Sequence, residues 1–367
     1  MSAPDTHELA CELEETPVPL GARDQPGPAA EPASGALSLP ETQKRRPRGA
    51  EPAPARTASD FTSERMLRPQ AEAPRTGWRR VLFQLTGGLV NLGPSEAELA
   101  ERDLIGRVKA PVTGCRRIAV VSRKGGVGKT TTTLMLGHTF ASLRGDRVIA
   151  LDGNPDAGSL AYRVRRETTN TLLSLLAHRE QIERYADIRA YTSQAPTRLE
   201  VVAADDDPKI TDALREQDFH TAVGLLEVHY NLVCLDTGTG VLESAAKGIL
   251  QLADQIVVVT APSLDSARTA SSTLDWLEQN GHGRLVDSAV AVINGARAKS
   301  QLELDRVAEH FEARCRAVVR VPWDAHLDTG AESSLEQLRA PTRHAYLELA
   351  AAVADGFGHP GAKGGAR

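Results

Sequence analysis

The sequence predicts an α/β protein in which a mostly parallel sheet lies between two layers of helices, a three-layer α/β/α arrangement. Two observations indicate this class. Short apolar strands alternate with helix-length segments from residue 116 to about residue 356, and strands such as Val257-Val258-Val259 are apolar on both faces. A strand that is apolar on both faces is typical of a parallel sheet covered by helices on both sides.

The individual elements follow from the same alternation. The candidate strands are 117–122, 147–152, 199–203, 231–236, 255–260, 288–294 and 317–321. The candidate helices are 130–143, 208–229 (interrupted), 241–252, 264–280, 302–314 and 341–355. The last of these helices has apolar residues at helical spacing and no Lys or Arg after Arg343, so we expect it to pack on the core.

The α/β domain is assigned to residues 111–357, and segments of different composition flank it. Residues 1–75 hold 12 of the 21 prolines and a single aromatic residue, Phe61. Such a segment buries too little apolar surface to offset the entropy of ordering, which predicts a disordered N-terminal arm. Residues 358–367 are rich in glycine and are expected to form a flexible tail.

Residues 76–110 are predicted to form a helical adaptor. The stretch 78–85 is apolar, basic and aromatic, and Ser95 with Glu98 fits a capping box for a helix that runs to about Arg107. Two interpretations of 78–85 remain open. It is either an interfacial helix with Trp78 in lipid, or a helix that docks on the α/β core or on a partner protein.

Composition excludes several classes of protein. The net charge of −5 gives no global attraction to nucleic acid. The four cysteines (Cys11, Cys115, Cys234 and Cys315) form no CxxC pair, so neither a zinc site nor a dithiol redox site is indicated. No apolar run approaches the roughly 18 residues of a membrane span. With no basic segment followed by an apolar core at the N-terminus, these features favour a cytoplasmic protein with reduced thiols.

A glycine-rich loop at 122–131 is the strongest functional signal. It lies between the apolar strand 118–121 and the predicted helix 132–143, and this setting is that of a phosphate-binding loop. Lys129 is expected to reach the β- and γ-phosphates of a nucleotide, and the Thr130 hydroxyl to contact Mg²⁺. The other residues expected to surround the phosphates are Lys124, Gly125, Gly126, Val127, Gly128 and Thr131.

Two further strands end in carboxylates. Asp236 closes the strand 231–236, which fits an aspartate that holds Mg²⁺, and Asp152 closes the strand that follows the loop helix. Because ligands of parallel sheets bind outside the carboxyl ends of the strands, both side chains are expected at the nucleotide. Thr130, Asp152 and Asp236 are therefore the predicted metal-binding residues.

The loop 124–131, KGGVGKTT, resembles the deviant Walker A loop of the MinD/ParA family of dimerising P-loop ATPases. The resemblance implies that Lys124 reaches the nucleotide of a partner subunit, and that Asp152 and Asp236 are the two motif carboxylates. It also implies that Asn294 contacts adenine, and that a late segment closes on the base, formed by Pro322, Trp323 and Asp324.

A second resemblance is narrower. The arm, the segment Gly77-Trp78-Arg79-Arg80 and the motifs Leu274-Asp275-Trp276-Leu277 and Pro322-Trp323-Asp324 are similar to the MinD-like ATPases associated with type VII (ESX) secretion in mycobacteria and their relatives.

Asn154 departs from the MinD/ParA family pattern. The family has a second aspartate at this position, which helps to position the attacking water, and an amide offers no carboxylate. Asp156 lies two residues further on as a candidate substitute. Nucleotide binding is therefore expected more strongly than turnover.

The sequence thus predicts an ATP- and Mg²⁺-dependent homodimer that serves a secretion machinery. Lys124, Lys129, Asp152, Asn154 and Asp236 are its catalytic candidates. Two alternatives stay open: an interaction scaffold that holds ATP without turnover, and a DNA-partitioning ATPase. The arginines at 163, 165 and 166 would be the DNA contacts of the latter.

Overall fold

The computed structural model describes residues 73–74, 77–154, 158, 160–205, 214–238, 244–297 and 303–358. The predicted arm, apart from residues 73 and 74, and almost all of the predicted tail lie outside these residues. Residues 208–213 of the helix predicted at 208–229 also lie outside the described residues.

A sheet of eight strands forms the centre of the described structure, in the order β3-β4-β2-β5-β1-β6-β7-β8. Seven strands run parallel, and the short β3 pairs antiparallel with β4. The strands are β1 (Arg116–Val121), β2 (Val148–Gly153), β3 (Ser193–Gln194), β4 (Glu200–Val202), β5 (Leu232–Thr237), β6 (Gln255–Thr260), β7 (Val290–Ala296) and β8 (Ala317–Pro322). The predicted mostly parallel sheet is confirmed.

Helices precede the sheet and connect its strands. They are α1 (Gly77–Leu85), α2 (Glu96–Val108), α3 (Lys129–Leu143), α4 (Leu172–Ala177), α5 (Tyr185–Arg189), α6 (Glu216–Glu227), α7 (Ser244–Leu252), α8 (Leu264–Gln279), α9 (Gly283–Asp287), α10 (Leu304–Glu312), α11 (Ala325–Asp328) and α12 (Ala340–Ala354). The short elements β3, α4, α5, α9 and α11 were not predicted, because segments of two to six residues carry too little periodicity to be recognised.

The apolar core lies on both faces of the sheet. Alternate residues of a strand point to opposite faces, and in β1 Ile118 joins one buried cluster while Ala119 joins the other. The first cluster contains Phe140 of α3 and Tyr346 of α12, and the second contains side chains of α6, α7, α8 and α10. This arrangement confirms the three layers, and it also confirms that the last helix packs on the core.

Strand order brings the carboxyl-terminal ends of β2 and β5 together. The two strands are parallel neighbours, and Asp152 is the register partner of Asp236. β1, which leads into the glycine-rich loop, lies on the other side of β5. The three predicted motifs therefore meet at one edge of the sheet.

The two N-terminal helices differ in how they contact the rest of the structure. Ser95 caps α2 by accepting a hydrogen bond from the Glu98 N–H at 3.2 Å, and α2 packs against α12, where Arg107 forms a 2.7 Å ion pair with Asp355. By contrast, α1 has no buried residue. Within the described part of the chain, no helix is both long and apolar enough to cross a bilayer.

Candidate functional site

The glycine-rich loop joins β1 to α3, and its conformation depends on two glycines. Gly126 has φ +74° and Gly128, the residue before α3, has φ +91°. Side chains are strongly disfavoured at such angles, and a Cβ at Gly128 would also overlap the amide of Asn294. These two glycines let the loop turn into the first turn of α3, where backbone N–H groups can bind an anion.

Asn294, near the end of β7, braces this loop. Its Nδ2 donates a hydrogen bond to the Val127 carbonyl at 2.8 Å. The amide is thus held against the glycine-rich loop. Its predicted contact with adenine stays a prediction.

A cleft of about 500 Å³ opens beside the loop at this edge of the sheet. Its lining unites most of the predicted nucleotide-binding residues: Gly125, Gly126, Val127, Gly128, Lys129, Thr130, Thr131, Asn294, Pro322, Trp323 and Asp324. Asn154 lines the cleft as well. Its volume and mixed lining are typical of a small-molecule site.

The two predicted carboxylates are buried next to the loop. The Oδ1 of Asp236 accepts a hydrogen bond from the Thr133 hydroxyl at 3.2 Å, while its buried Oδ2 makes no hydrogen bond of ordinary geometry. Asp152 accepts hydrogen bonds from the N–H groups of Asn154 and Leu160, at 3.1 and 3.0 Å. Gly158 permits this arrangement, because a Cβ there would overlap the Asp152 carboxylate.

Burial and mutual repulsion disfavour the charged form of this pair. Burial raises the pKa of Asp152, and the negative charge of Asp236 raises it further. Burial also raises the pKa of Asp236, although the nearby Thr130 hydroxyl and the Lys129 ammonium oppose the shift. The fold therefore concentrates negative charge where a cation would stabilise it.

These residues fit the Mg²⁺ that a bound nucleotide brings. Mg²⁺ is usually held by one or two carboxylates, waters and substrate phosphates rather than by a full cage of protein ligands. The Oδ2 of Asp236, which makes no hydrogen bond of ordinary geometry and lies near Thr130, matches that requirement. Among the described residues, no three or more His, Cys, Asp or Glu side chains form a cluster that could hold a metal ion by itself.

The two lysines of the loop are held differently. Lys129 is buried at the start of α3. Lys124 lies on the surface, where its Nζ forms a 2.7 Å ion pair with Asp265, and the two side chains are 48 % and 73 % exposed. The pairing lowers the pKa of Asp265, since the ammonium favours the carboxylate.

The segment after β8 forms one wall of the cleft. The Asp324 carboxylate accepts hydrogen bonds from the N–H groups of His326 and Arg339, both at 3.0 Å, and so caps α11. The guanidinium groups of Arg297 and Arg339 lie 4.7 and 5.6 Å from the centre of the Trp323 ring. Asp324 thus holds the wall in shape, and its predicted role toward the base stays a prediction.

Two residues at this edge were missed by the sequence analysis. Arg163 lines the cleft and donates from Nη1 to the Thr131 hydroxyl at 2.9 Å, whereas it was predicted only as a DNA contact. Asp265, the partner of Lys124, was not singled out. A usable signal existed for both, because each follows the carboxyl end of a parallel strand, where ligands of such sheets bind.

Comparison with known proteins gives a consistent picture. Residues 115–279 match a family described as "AAA domain". The chain is 38% identical over 330 residues to the ESX-1 secretion-associated protein EspI of Mycobacterium tuberculosis. The aligned region covers 83% of this chain and 49% of EspI. The chain thus spans about half the length of this curated relative.

Solved structures share the fold at low identity. A ParA family ATPase from Chlorobium tepidum superposes with a TM-score of 0.57 at 16% identity, covering 65% of this chain and 98% of the other. The septum site-determining protein MinD of Pyrococcus horikoshii, complexed with Mg-ADP, gives 0.53 at 18% identity, covering 64% and 94%.

Proposed function

Since this chain is a MinD/ParA-like P-loop protein with sequence similarity to an ESX secretion-associated relative, we propose that it binds ATP with Mg²⁺ and works as a slowly hydrolysing dimerisation switch. The observation that carries the proposal is the cleft, which the glycine-rich loop and Lys129 line and next to which two carboxylates, Asp152 and Asp236, are buried. In this role, the occupied cleft would favour a homodimer and hydrolysis would release it.

Each part of the cleft has a task in binding. The backbone N–H groups of the loop and the Lys129 ammonium would bind the phosphate oxygens, while Thr130 and Asp236 would hold the metal. Mg²⁺ supplies positive charge that stabilises the negative charge developing on the phosphates. Lys129 also offsets the charge of Asp236 in the protein without nucleotide.

Turnover depends on how the attacking water is oriented. Asn154 lines the cleft, and its backbone N–H is fixed by Asp152. An amide can align a water through hydrogen bonds but cannot accept its proton as a carboxylate can. Hydrolysis should therefore be slow, and a scaffold that holds ATP without turnover is the competing function.

Phosphate release separates these two functions. The wild type is compared with Asn154→Asp and with Lys129→Ala under the same conditions. A slow wild-type rate, faster in Asn154→Asp and absent in Lys129→Ala, is expected for the switch. A wild-type rate equal to that of Lys129→Ala favours the scaffold.

The similarity to EspI supports a place in type VII secretion. The test is to replace the wild-type gene with a Lys129→Ala version in the host organism and to measure type VII substrates in the culture medium. Loss of export, with the protein still present at its normal level, is expected. Unchanged export would contradict the secretion role.

The exposed surface of helix α1 supports a proposed peripheral contact with the inner face of the cell membrane. Trp78 and Leu85 are 66 % and 80 % exposed and Val81 between them is also exposed, which gives one apolar face. Arg79 and Arg80 are the only charged residues in 77–95, so this surface suits anionic lipid headgroups.

Co-sedimentation with phosphatidylglycerol vesicles tests this contact, with phosphatidylcholine vesicles for comparison. The double variant Trp78→Ser, Leu85→Ser should lose binding, and Leu99→Ser, at an exposed leucine of α2, is the matched control. If the wild type stays in the supernatant with both lipids, α1 is instead a surface for protein partners.

A further inference from the structure

Arg163 lies in the nucleotide cleft beside the first turn of α3. It ends the short turn Ala161–Arg163 that follows β2, and its Nη1 donates to the Thr131 hydroxyl at 2.9 Å. Thr131 directly follows Thr130, the residue expected at the metal. The guanidinium therefore lies at the end of the phosphate-binding loop.

A second contact ties Arg163 to the opposite wall of the cleft. Its carbonyl accepts a hydrogen bond from the Ser333 N–H at 2.9 Å, and Gly330 lies against its guanidinium. Gly330 and Arg163 are both lining residues of the cleft. Arg163 thus joins the loop helix to the segment that follows α11.

The N–H donors of the Arg163 guanidinium are not all used in hydrogen bonds. Its buried Nε has no hydrogen-bond partner, and no carboxylate of the described residues forms an ion pair with it. Burial lowers its pKa, and the more distant Asp236 opposes that shift. A partly buried cation with unsatisfied donors is unfavourable until an anion reaches it.

We propose that Arg163 contacts the phosphate chain of the bound nucleotide on the side of Thr131, as a second cation in addition to Lys129. This inference rests on the proposed nucleotide binding. Arginine suits the task because its planar fork can donate to a phosphate oxygen and keep its bond to Thr131 at the same time.

A purely structural role is the competing explanation, in which Arg163 only ties Thr131 to the segment around Ser333. The two roles differ in one readout. A structural tie affects the melting temperature of the nucleotide-free protein. A phosphate contact affects the additional gain in melting temperature on adding ADP.

The experiment is a titration of the full chain with mant-ADP and Mg²⁺. Arg163→Gln should bind about tenfold more weakly, the loss of one charged hydrogen-bonding group. Arg163→Lys should fall between Arg163→Gln and the wild type, because it keeps the charge and loses the fork. Arg165→Gln, at an exposed arginine two residues away, should bind like the wild type.

Nucleotide binding by Lys129→Ala and melting temperatures with and without ADP distinguish the remaining outcomes. If Arg163→Gln binds like the wild type while Lys129→Ala does not bind, the inference is wrong and the proposed function stands. If Lys129→Ala also binds like the wild type, the proposed function itself fails. If Arg163→Gln only lowers the nucleotide-free melting temperature and keeps the full gain with ADP, the role is structural and the inference is overturned.

Discussion

The floor and the rim of the cleft use the same kinds of charged side chain but hold them differently. The floor, formed by Lys129 at the start of α3 and by Asp152 and Asp236 behind it, is buried, and strand register fixes its two carboxylates. The rim, formed by Lys124 and Asp265, is exposed on the surface. A buried charge is costly to leave without a partner, whereas an exposed ion pair contributes only about 0–1 kcal/mol.

This difference indicates two tasks. Rearrangement of the buried charges in the floor is energetically unfavourable, which suits a fixed site for phosphate and metal. The rim can open at little cost, so Lys124 is free to exchange Asp265 for another anion. A switch needs both properties, a rigid binding site and a contact that changes with the bound state.

Substitution of the buried lysine should have the largest effect. Lys129→Ala is expected to weaken mant-ATP binding about a hundredfold, because a charge-assisted contact to the phosphates is lost in a buried site. Fluorescence titration measures this, and Lys247→Ala, at an exposed lysine of α7, is the control. Wild-type affinity in Lys129→Ala would show that the floor does not hold the nucleotide.

Substitution of the rim lysine should affect assembly rather than binding. Lys124→Ala is expected to weaken the proposed ATP-dependent homodimer about tenfold, since the charged contact proposed between Lys124 and the partner's nucleotide would be lost. Sedimentation velocity with ATP and Mg²⁺ measures the dimer. If the variant dimerises like the wild type, the role of Lys124 across the dimer is wrong.

Removal of a floor carboxylate should stabilise the nucleotide-free protein. Because the pKa of Asp236 is raised on folding, the native state binds more protons than the unfolded state, and stability falls as pH rises from about 4 through the raised pKa. Asp236→Asn avoids this loss, so its free energy of unfolding at pH 8 should exceed that of the wild type by about 1 kcal/mol.

Thermal or urea unfolding without nucleotide at pH 4.5 and pH 8 measures this gain. The advantage of Asp236→Asn should shrink at the lower pH, where the wild-type carboxyl group is already protonated. The same variant should lose the Mg²⁺ dependence of nucleotide binding. An advantage independent of pH would contradict the electrostatic explanation.

The smallest effect is expected at the rim carboxylate. Asp265→Asn should leave the free energy of unfolding close to that of the wild type, because both side chains of the pair are well exposed. It should strengthen the ATP-dependent dimer about twofold by releasing Lys124. A weaker dimer would mean that Asp265 itself contacts the partner.

The sequence predicted more of the floor than of the rim, for a physical reason. Lys129 and Thr130 belong to one contiguous strand–loop–helix motif, and Asp152 and Asp236 each end an apolar strand. The parallel arrangement places such ends at the same end of the sheet, which the sequence predicts, and the strand order then makes β2 and β5 direct neighbours. The amide of Asn294 braces the loop at Val127, a contact that its sequence position alone did not indicate.

By itself, therefore, the sequence determined the fold class, the glycine-rich loop between strand and helix and the two carboxylates at strand ends, because these depend on short-range patterns. Only the tertiary structure decided that Lys124 meets Asp265, since that contact requires β6 to lie beside β1. It likewise placed Arg163 against Thr131, 32 residues away, and in the lining of the cleft, whereas the sequence had suggested it only as a candidate DNA contact. Contacts between distant segments follow from strand order and packing, which local propensity and hydrophobic periodicity do not specify.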